Sequence, residues 1–250
     1  LIKNNTVENN TMGIYLGVNS NSNTVRNNIA NNNDVNGIYL FNRSMFNLVE
    51  NNIANGNLLN GIYLDLESSN NSVIMNTANN NSQIFAGIYL GRGSNDNLVQ
   101  QNTVNFNVYG IRMRFSTGNR LINNYAEGNL KYGIQIRLAS NDTLIQGNTV
   151  INNTFYGIYV SGPEDPETGD PVGESTHNAR VINNFATLNV GGIRLVNTHN
   201  DTVEGNNVTN NGYGLYTENV SDLIIQFNNI FSNPDYNYLN NQTPQVVAEN

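Results

Sequence analysis

Arg112 and Arg194 interrupt a column that is otherwise written mostly in tyrosine. The column is the third residue of a recurring Gly-Ile-Tyr-Leu stretch and reads Tyr15, Tyr39, Tyr63, Tyr89, Arg112, Gln135, Tyr159, Arg194, Tyr216. Phenol rings can stack on sugar rings, and guanidinium groups pair bidentately with uronate or sulfate groups, so the set has the chemistry of a polysaccharide track. Arg114 and Arg137 share one repeat position in adjacent copies and enlarge the basic spot, with Arg92 less closely aligned. Tyrosine is also a favoured strand residue whose stacked rings shield a sheet from water, a structural reading that needs no ligand. The candidate ligand-binding set is therefore Tyr15, Tyr39, Tyr63, Tyr89, Arg112, Arg114, Arg137, Tyr159, Arg194 and Tyr216. No catalytic residue is assigned.

Two further groups have reactive side chains. His177 and His199 both occur in Thr-His-Asn, one repeat apart and near Asp201; a His pair with a carboxylate can bind a metal or move protons. The same histidines are also explained as repeat corners where Asn, Ser or Thr is usual. The stretch 161–176, "SGPEDPETGDPVGEST", carries Glu164, Asp165, Glu167, Asp170 and Glu174. Calcium uses such oxygens, but no calcium-ligand spacing appears and a solvated acidic loop is the simpler reading, so no metal or cofactor is assigned.

These residues sit in a repeat. The Gly-Ile step recurs at Gly13, Gly37, Gly61, Gly87, Gly110, Gly133, Gly157 and Gly192, with Gly214-Leu215 as a further copy, at spacings of 22 to 26 residues apart from one of 35. A second signal, V/L-x-x-N-x-A/V-x-x-N, lays down ten rungs. Its first Asn column runs Asn5, Asn28, Asn52, Asn76, Asn102, Asn124, Asn148, Asn184, Asn206, Asn228, and its second runs from Asn10 and Asn33 to Asn211 and Asn233. Within a rung the apolar residues alternate with period two, which is the strand signature. Asn and Gly fall at the corners, where left-handed backbone is cheapest for them. Three short strands repeating at this period make one coil of a parallel β-helix, with coils ~4.8 Å apart. The fold class is all-β: a right-handed parallel β-helix solenoid of about ten coils with one insertion, its Ile and Leu pointing inward, its Tyr outward, and its Asn columns forming amide ladders. In this reading the Gly of Gly-Ile-Tyr-Leu turns the corner.

The composition narrows the function. Of 250 residues, 57 are Asn and 12% are charged, and the formal net charge of −8 argues against a nucleic-acid groove, which needs a basic face. The absence of cysteine excludes disulfides and thiolate metal sites, and no apolar run approaches the ~18 residues of a membrane span. Eleven Asn-X-Ser/Thr sequons, from Asn4 to Asn241, fit a secreted protein.

The stretches "NNTVENNTMGIYL", "SNSNTVRNNIANNN" and "GIYVSG" resemble the parallel β-helix repeat of NosD-like and carbohydrate-binding or sugar-hydrolase proteins, over about residues 1–233. The resemblance implies the fold and an extracellular or cell-surface setting. It does not imply one activity, since the family spans lyases, epimerases, hydrolases and inert scaffolds. Copper delivery, associated with NosD, is poorly matched by a chain with no Cys, four Met and two His. Alginate C5-epimerases carry Y-G-(I/F)-D-P-H; here Tyr109-Gly110-Ile111 is followed by Arg112, Met113 and Arg114, without the Asp and His.

The expectation is a single β-helix domain over 1–250, with an inserted loop at 161–176 and an irregular tail at 234–250, forming part of a larger protein. Its expected function is a non-catalytic extracellular or cell-surface module, structural or adhesive, binding polysaccharide or envelope glycan along the Tyr/Arg face. The alternatives are a lyase, epimerase or hydrolase acting on an acidic glycan, and an envelope or filament protein that self-associates end to end through open coils.

Overall fold

A computed structural model describes residues 1–81, 85–162 and 175–241, and the backbone of 246–249. Among these residues there is no helix. Nearly all the strands join three parallel sheets of eleven, ten and five strands, and a two-stranded pair lies beside the insertion. Each sheet takes one strand from each successive coil, so that Val25 pairs with Val49, Val49 with Val73 and Val73 with Val99. The ten rungs of the first Asn column span nine full turns. No helix is long and apolar enough to cross a membrane.

The short strands follow from the period-two alternation. In Ile38–Phe41 the Ile and Leu are buried and the Tyr and Phe are half-buried, and Ile62–Asp65 repeats the pattern. The inward residues form one continuous core of Ile, Leu, Val and Ala running the length of the rod. Corners are made by single left-handed residues: Asn27, Asn51, Asn123 and Asn183 have φ of 54°, 52°, 53° and 54°. Each immediately precedes a buried ladder Asn, so the first Asn of each Asn-Asn pair bends the chain and the second faces inward.

Both expected amide ladders are present. In the first, the backbone N and Nδ2 of Asn28 both donate to Oδ1 of Asn52, at 3.0 Å each, and Asn52 repeats this onto Asn76 at 2.9 Å. Nδ2 of Asn52 also donates to the Val25 carbonyl at 2.9 Å. The second ladder links Asn33, Asn57 and Asn81 in the same way. A third ladder, not anticipated from the sequence, runs Asn23, Asn47, Asn71, Asn97, Asn119. It stops where Thr143 and then Ala179 occupy its position, and Asp201 takes that position one coil later.

Two expectations are corrected. The Gly of Gly-Ile-Tyr-Leu does not turn a corner, for none of these glycines has positive φ. It is needed because the coils approach too closely for a side chain: a Cβ on Gly61 would lie 2.7 Å from the Gly87 carbonyl oxygen, 2.8 Å from that of Ala54 and 2.7 Å from the Ala78 Cβ. Gly61→Ala is accordingly expected to destabilise the fold by about 2 kcal/mol through overpacking, read as a lowered denaturation midpoint. The stretch 234–250, expected to be irregular, instead adds strands Tyr236–Asn241 and Val246–Glu249 to the two larger sheets. Parallel backbone pairing needs no Asn column to continue, which is why the loss of the sequence pattern misleads there. Of the inserted loop, residues 161–162 end one strand and 175–176 lead into another, while 163–174, including Glu164, Asp165, Glu167, Asp170 and Glu174, lie outside the described residues.

Candidate functional site

The ten-stranded sheet presents the Tyr/Arg column outward. Cross-strand partners run Tyr15–Tyr39–Tyr63–Tyr89–Arg112–Gln135–Tyr159–Arg194–Tyr216, and Leu239 extends the column. The rings of Tyr39 and Tyr63 stack at 4.9 Å and 4°, and those of Tyr63 and Tyr89 at 4.9 Å and 8°. Near-parallel rings at the coil spacing cover each other's faces, leaving edges and hydroxyls outward. The sugar-stacking role expected for the inner tyrosines is thus closed along the stack; Tyr15, tilted at 45° and 48% exposed, keeps an open face. Burial and the neighbouring Asp65 push the Tyr63 phenol far above its usual range, and Tyr39 likewise, so both stay protonated donors.

A second aromatic column flanks the first. Tyr109 pairs with Tyr132, Tyr213 with Tyr236, and Tyr156 stacks on Tyr132 at 6.3 Å. Its signal was legible as the Tyr immediately before Gly in "VYGIR", "KYGIQ", "FYGIY" and "GYGLY". The arginines lie on these rings. Arg112 stands 4.4 Å over Tyr109 and 5.6 Å from Tyr89; Arg194 stands 5.4, 5.5 and 5.0 Å from Tyr156, Tyr159 and Tyr216. Arg194 also pairs with Glu218 at 3.0 Å. Burial pulls the Arg194 proton affinity down, but Tyr156, Tyr159 and Glu218 more than offset it; at Arg112 burial prevails and the net shift is downward, with Arg114 and Arg137 adding to it. Tyr159 and Gln135, both column members, are buried beneath their neighbours at 4% and 2% exposure.

Two depressions lined by described residues open on this face. The larger, about 330 Å³, is walled by Tyr63, Asp65, Tyr89, Arg92, Arg114 and Phe115, with Leu66 at its edge. It exists because Gly91 leaves space: a Cβ there would come within 2.5 Å of Asp65 Oδ1 and 3.1 Å of the Tyr63 ring. The smaller, about 270 Å³, is walled by Tyr156, Arg194, Tyr213, Tyr216, Tyr236 and Leu239. The structure thus gathers Tyr63, Tyr89 and Arg114 at one depression and Arg194 and Tyr216 at the other. Tyr15 stands at the start of the column, and Asp65 joins as a wall residue that the sequence reading did not single out.

Among the described residues, no carboxylate joins the histidine pair. His177 and His199 stack at 4.9 Å on the two-stranded pair, and Ser175 Oγ lies 3.0 Å from His199 Nδ1. Asp201 points into the rod instead, where its Oδ1 accepts the Ala179 N–H at 2.7 Å, and burial pushes its carboxyl up to about 7.

The description "Right handed beta helix region" matches residues 1–104, and "Periplasmic copper-binding protein (NosD)" matches residues 164–250. The two matches cover separate parts of the chain, and the stacked parallel sheets agree with the β-helix that the first describes. Among solved β-helices, the periplasmic alginate epimerase AlgG aligns over 99% of this chain and 50% of its own, at 20% identity and a TM-score of 0.63. The A-module of the Azotobacter vinelandii mannuronan C-5 epimerase AlgE6 aligns over 89% of this chain and 64% of its own, at 18% and 0.72. The catalytic unit of a GH87 α-1,3-glucanase from Streptomyces thermodiastaticus covers 92% and 49%, at 14% and 0.58. This β-helix spans about half the length of the first and last of these, and the likeness is one of fold. No curated protein matches the chain. Copper, which the NosD description suggests, does not fit the residues present: no group of three His, Cys, Asp or Glu could hold a metal among the described residues, and Met113 is buried in the core.

Proposed function

We propose that this β-helix is a non-catalytic, extracytoplasmic module that binds polysaccharide along its Tyr/Arg face. The observation that carries the reading is that two depressions lie on that one face, the larger walled by Tyr63, Tyr89, Arg92 and Arg114 and the smaller by tyrosines and Arg194. A long polymer can lie over that face and drop one residue into each depression. Clustered aromatic and arginine side chains also concentrate binding energy at few points. Periplasmic location of the copper-binding family and of AlgG supports a setting outside the cytoplasm, and the polysaccharide chemistry in the epimerase and glucanase names supports the ligand class. Among the described residues, Asp65 is the one carboxylate that walls the larger depression, which favours binding over the paired carboxylates of glycoside hydrolysis.

Retention of the chain on immobilised acidic and neutral polysaccharides tests the reading. Tyr63→Ala combined with Tyr89→Ala removes one wall of the larger depression and is expected to weaken retention about tenfold, worth ~1.4 kcal/mol, while circular dichroism reports an intact solenoid. Undiminished retention in that folded variant would sink the proposal. Appearance of unsaturated or shortened product on incubation with the polymers would replace it by the enzymatic reading.

A further inference from the structure

We propose that the outer face of the eleven-stranded sheet docks a second copy of this chain, the two rods lying side by side and antiparallel.

The face carries a pattern that the coil repeat does not require. The residues this sheet turns inward are alike from coil to coil: Val25, Val49, Val73, Val99, Leu121 and Ile145. Those it turns outward alternate with a period of two coils. In the first outward row Leu48, Leu98 and Leu144 take turns with Ser72, Arg120 and Arg180. In the second, Ile74, Ile122 and Ile182 take turns with Glu50, Gln100, Gln146 and Glu204. Ile182 is buried and the other five aliphatic side chains are half-buried, while Arg26, Arg120 and Arg180 are exposed. The cross-strand register is unbroken from Thr24 to Gln226, so both rows are continuous.

Such a face is complementary to itself. A two-fold axis along the strands, midway between Leu98–Gln100 and Arg120–Ile122, sets the coils of one copy against those of the other in reverse order. Each of the three leucines then faces a serine or an arginine, and each of the three isoleucines a glutamine or a glutamate. Aliphatic side chains enter the partner's polar positions, where arginine stems can cover them. The charges agree with the same axis. Arg26 faces Glu204 of the second copy, and Arg180 lies over Leu48 of the second copy with Glu50 of that strand in reach. None of these four charged residues belongs to the ion pairs found among the described residues, Arg43–Glu67 and Arg194–Glu218. Sliding one copy by a coil spoils the match. In one direction Arg120 faces itself and Glu50 faces Glu204; in the other, Arg26 lies beside Arg180. Charge complementarity therefore selects one register, and the occupant it selects is this chain.

Eight coils at ~4.8 Å and three residues at ~3.3 Å give a face of roughly 400 Å² per copy, which places the contact among weak, reversible interfaces. The Tyr/Arg face belongs to the ten-stranded sheet and stays open in the dimer, so the inference stands apart from the glycan reading.

Sedimentation equilibrium of the full chain up to about 500 µM is expected to show a monomer–dimer equilibrium. R26E is expected to weaken it about tenfold, and R26E/E204R to restore it to within about threefold. K131E, which changes the net charge equally beside the other large sheet, leaves it unchanged. The chain has no cysteine, so introduced thiols report the register. T24C/T202C is expected to be linked between copies by a short bis-maleimide, because the two threonines face each other across the axis, whereas T24C alone is not. A monomer at every concentration overturns the proposal. So does a dimer that R26E/E204R fails to restore or that leaves T24C/T202C unlinked, since its copies then meet end to end or through another face.

Discussion

Asn124→Ala is expected to lower the stability of the rod by about 4 kcal/mol, a large loss for one side chain on a surface-rich fold. Asn124 Oδ1 accepts both the backbone N–H and the Nδ2 of Asn102, each at 3.0 Å. Its own Nδ2 donates to the Val99 carbonyl at 2.9 Å and to Asn148 Oδ1 at 3.0 Å. Alanine removes all four hydrogen bonds and takes the acceptor from two buried donors of Asn102, and an unmet buried donor costs about 1–3 kcal/mol. Aspartate is no rescue, since its second oxygen would face the Val99 carbonyl where an N–H is required. Asn152→Ala, at an exposed corner with φ of 54°, forgoes only a left-handed preference of about 1 kcal/mol. Urea denaturation of the two variants separates them. Similar midpoints would mean that the ladders are incidental to stability.

Asp201→Asn is expected to change the pH dependence of stability rather than its acid limit. Asp201 is 1% exposed, stands in the position of the third amide ladder, and has its Oδ2 buried without a hydrogen bond in the place where a ladder asparagine carries an NH₂. Burial is the main cause of its raised pKa of about 7; the nearby Thr198 hydroxyl and the hydrogen bond from the Ala179 N–H oppose it more weakly. In the unfolded chain the carboxyl ionises near 4. Between about 4 and about 7 the folded state therefore holds a proton that the unfolded state has released, and stability falls as pH rises through that window, by up to ~1.4 kcal/mol per pH unit, then levels off. The asparagine variant supplies a permanent donor and has no such slope. The two proteins should be close in stability near pH 4 and diverge by about 2–4 kcal/mol by pH 8. Parallel stability curves from pH 4 to 8 would show that Asp201 is ionised, and solvated, at all of them.

Much of the architecture was legible because the solenoid asks for the same residue type at the same position in every coil. The first two Asn columns, the Val/Ile/Leu/Ala core and the outward Tyr/Arg column are one-dimensional periodicities, and the cross-strand register reproduces them. What was misread depends on distance rather than period. The Gly of Gly-Ile-Tyr-Leu looks like a corner residue in a string of letters, yet its necessity lies in a carbonyl from the next coil that no local pattern reveals. The third ladder was hidden because its column is broken by Thr143, Ala179, Asp201 and Leu223. The larger depression was invisible for a related reason. It is made by Gly91 lying between Asp65 and Arg114 in a column with no repeating residue, so only the coils stacked together show the gap. The column of tyrosines was read correctly as outward, but whether their faces or their edges meet solvent is a matter of ring tilt, which sequence does not encode.

The three buried ladders share a property that reaches beyond the hydrogen bonds they contain. In each, the earlier asparagine is the donor and the later one the acceptor: Asn28 to Asn52, Asn33 to Asn57, Asn47 to Asn71. Backbone bonds between coils run both ways and largely cancel, as where Val7 donates to Ile29 and Ile29 donates to Asn5. The buried ladders all point the same way, whereas rows through Asn36 and Asn60 and through Asn31, Asn55, Asn79 and Asn105 oppose them over fewer coils. The rod is thus an electrical vector, with carbonyl oxygens leading toward its first coil and amide hydrogens toward its last. Any charged polymer lying along it meets a sense of direction, so one orientation of a polyanion is favoured over its reverse.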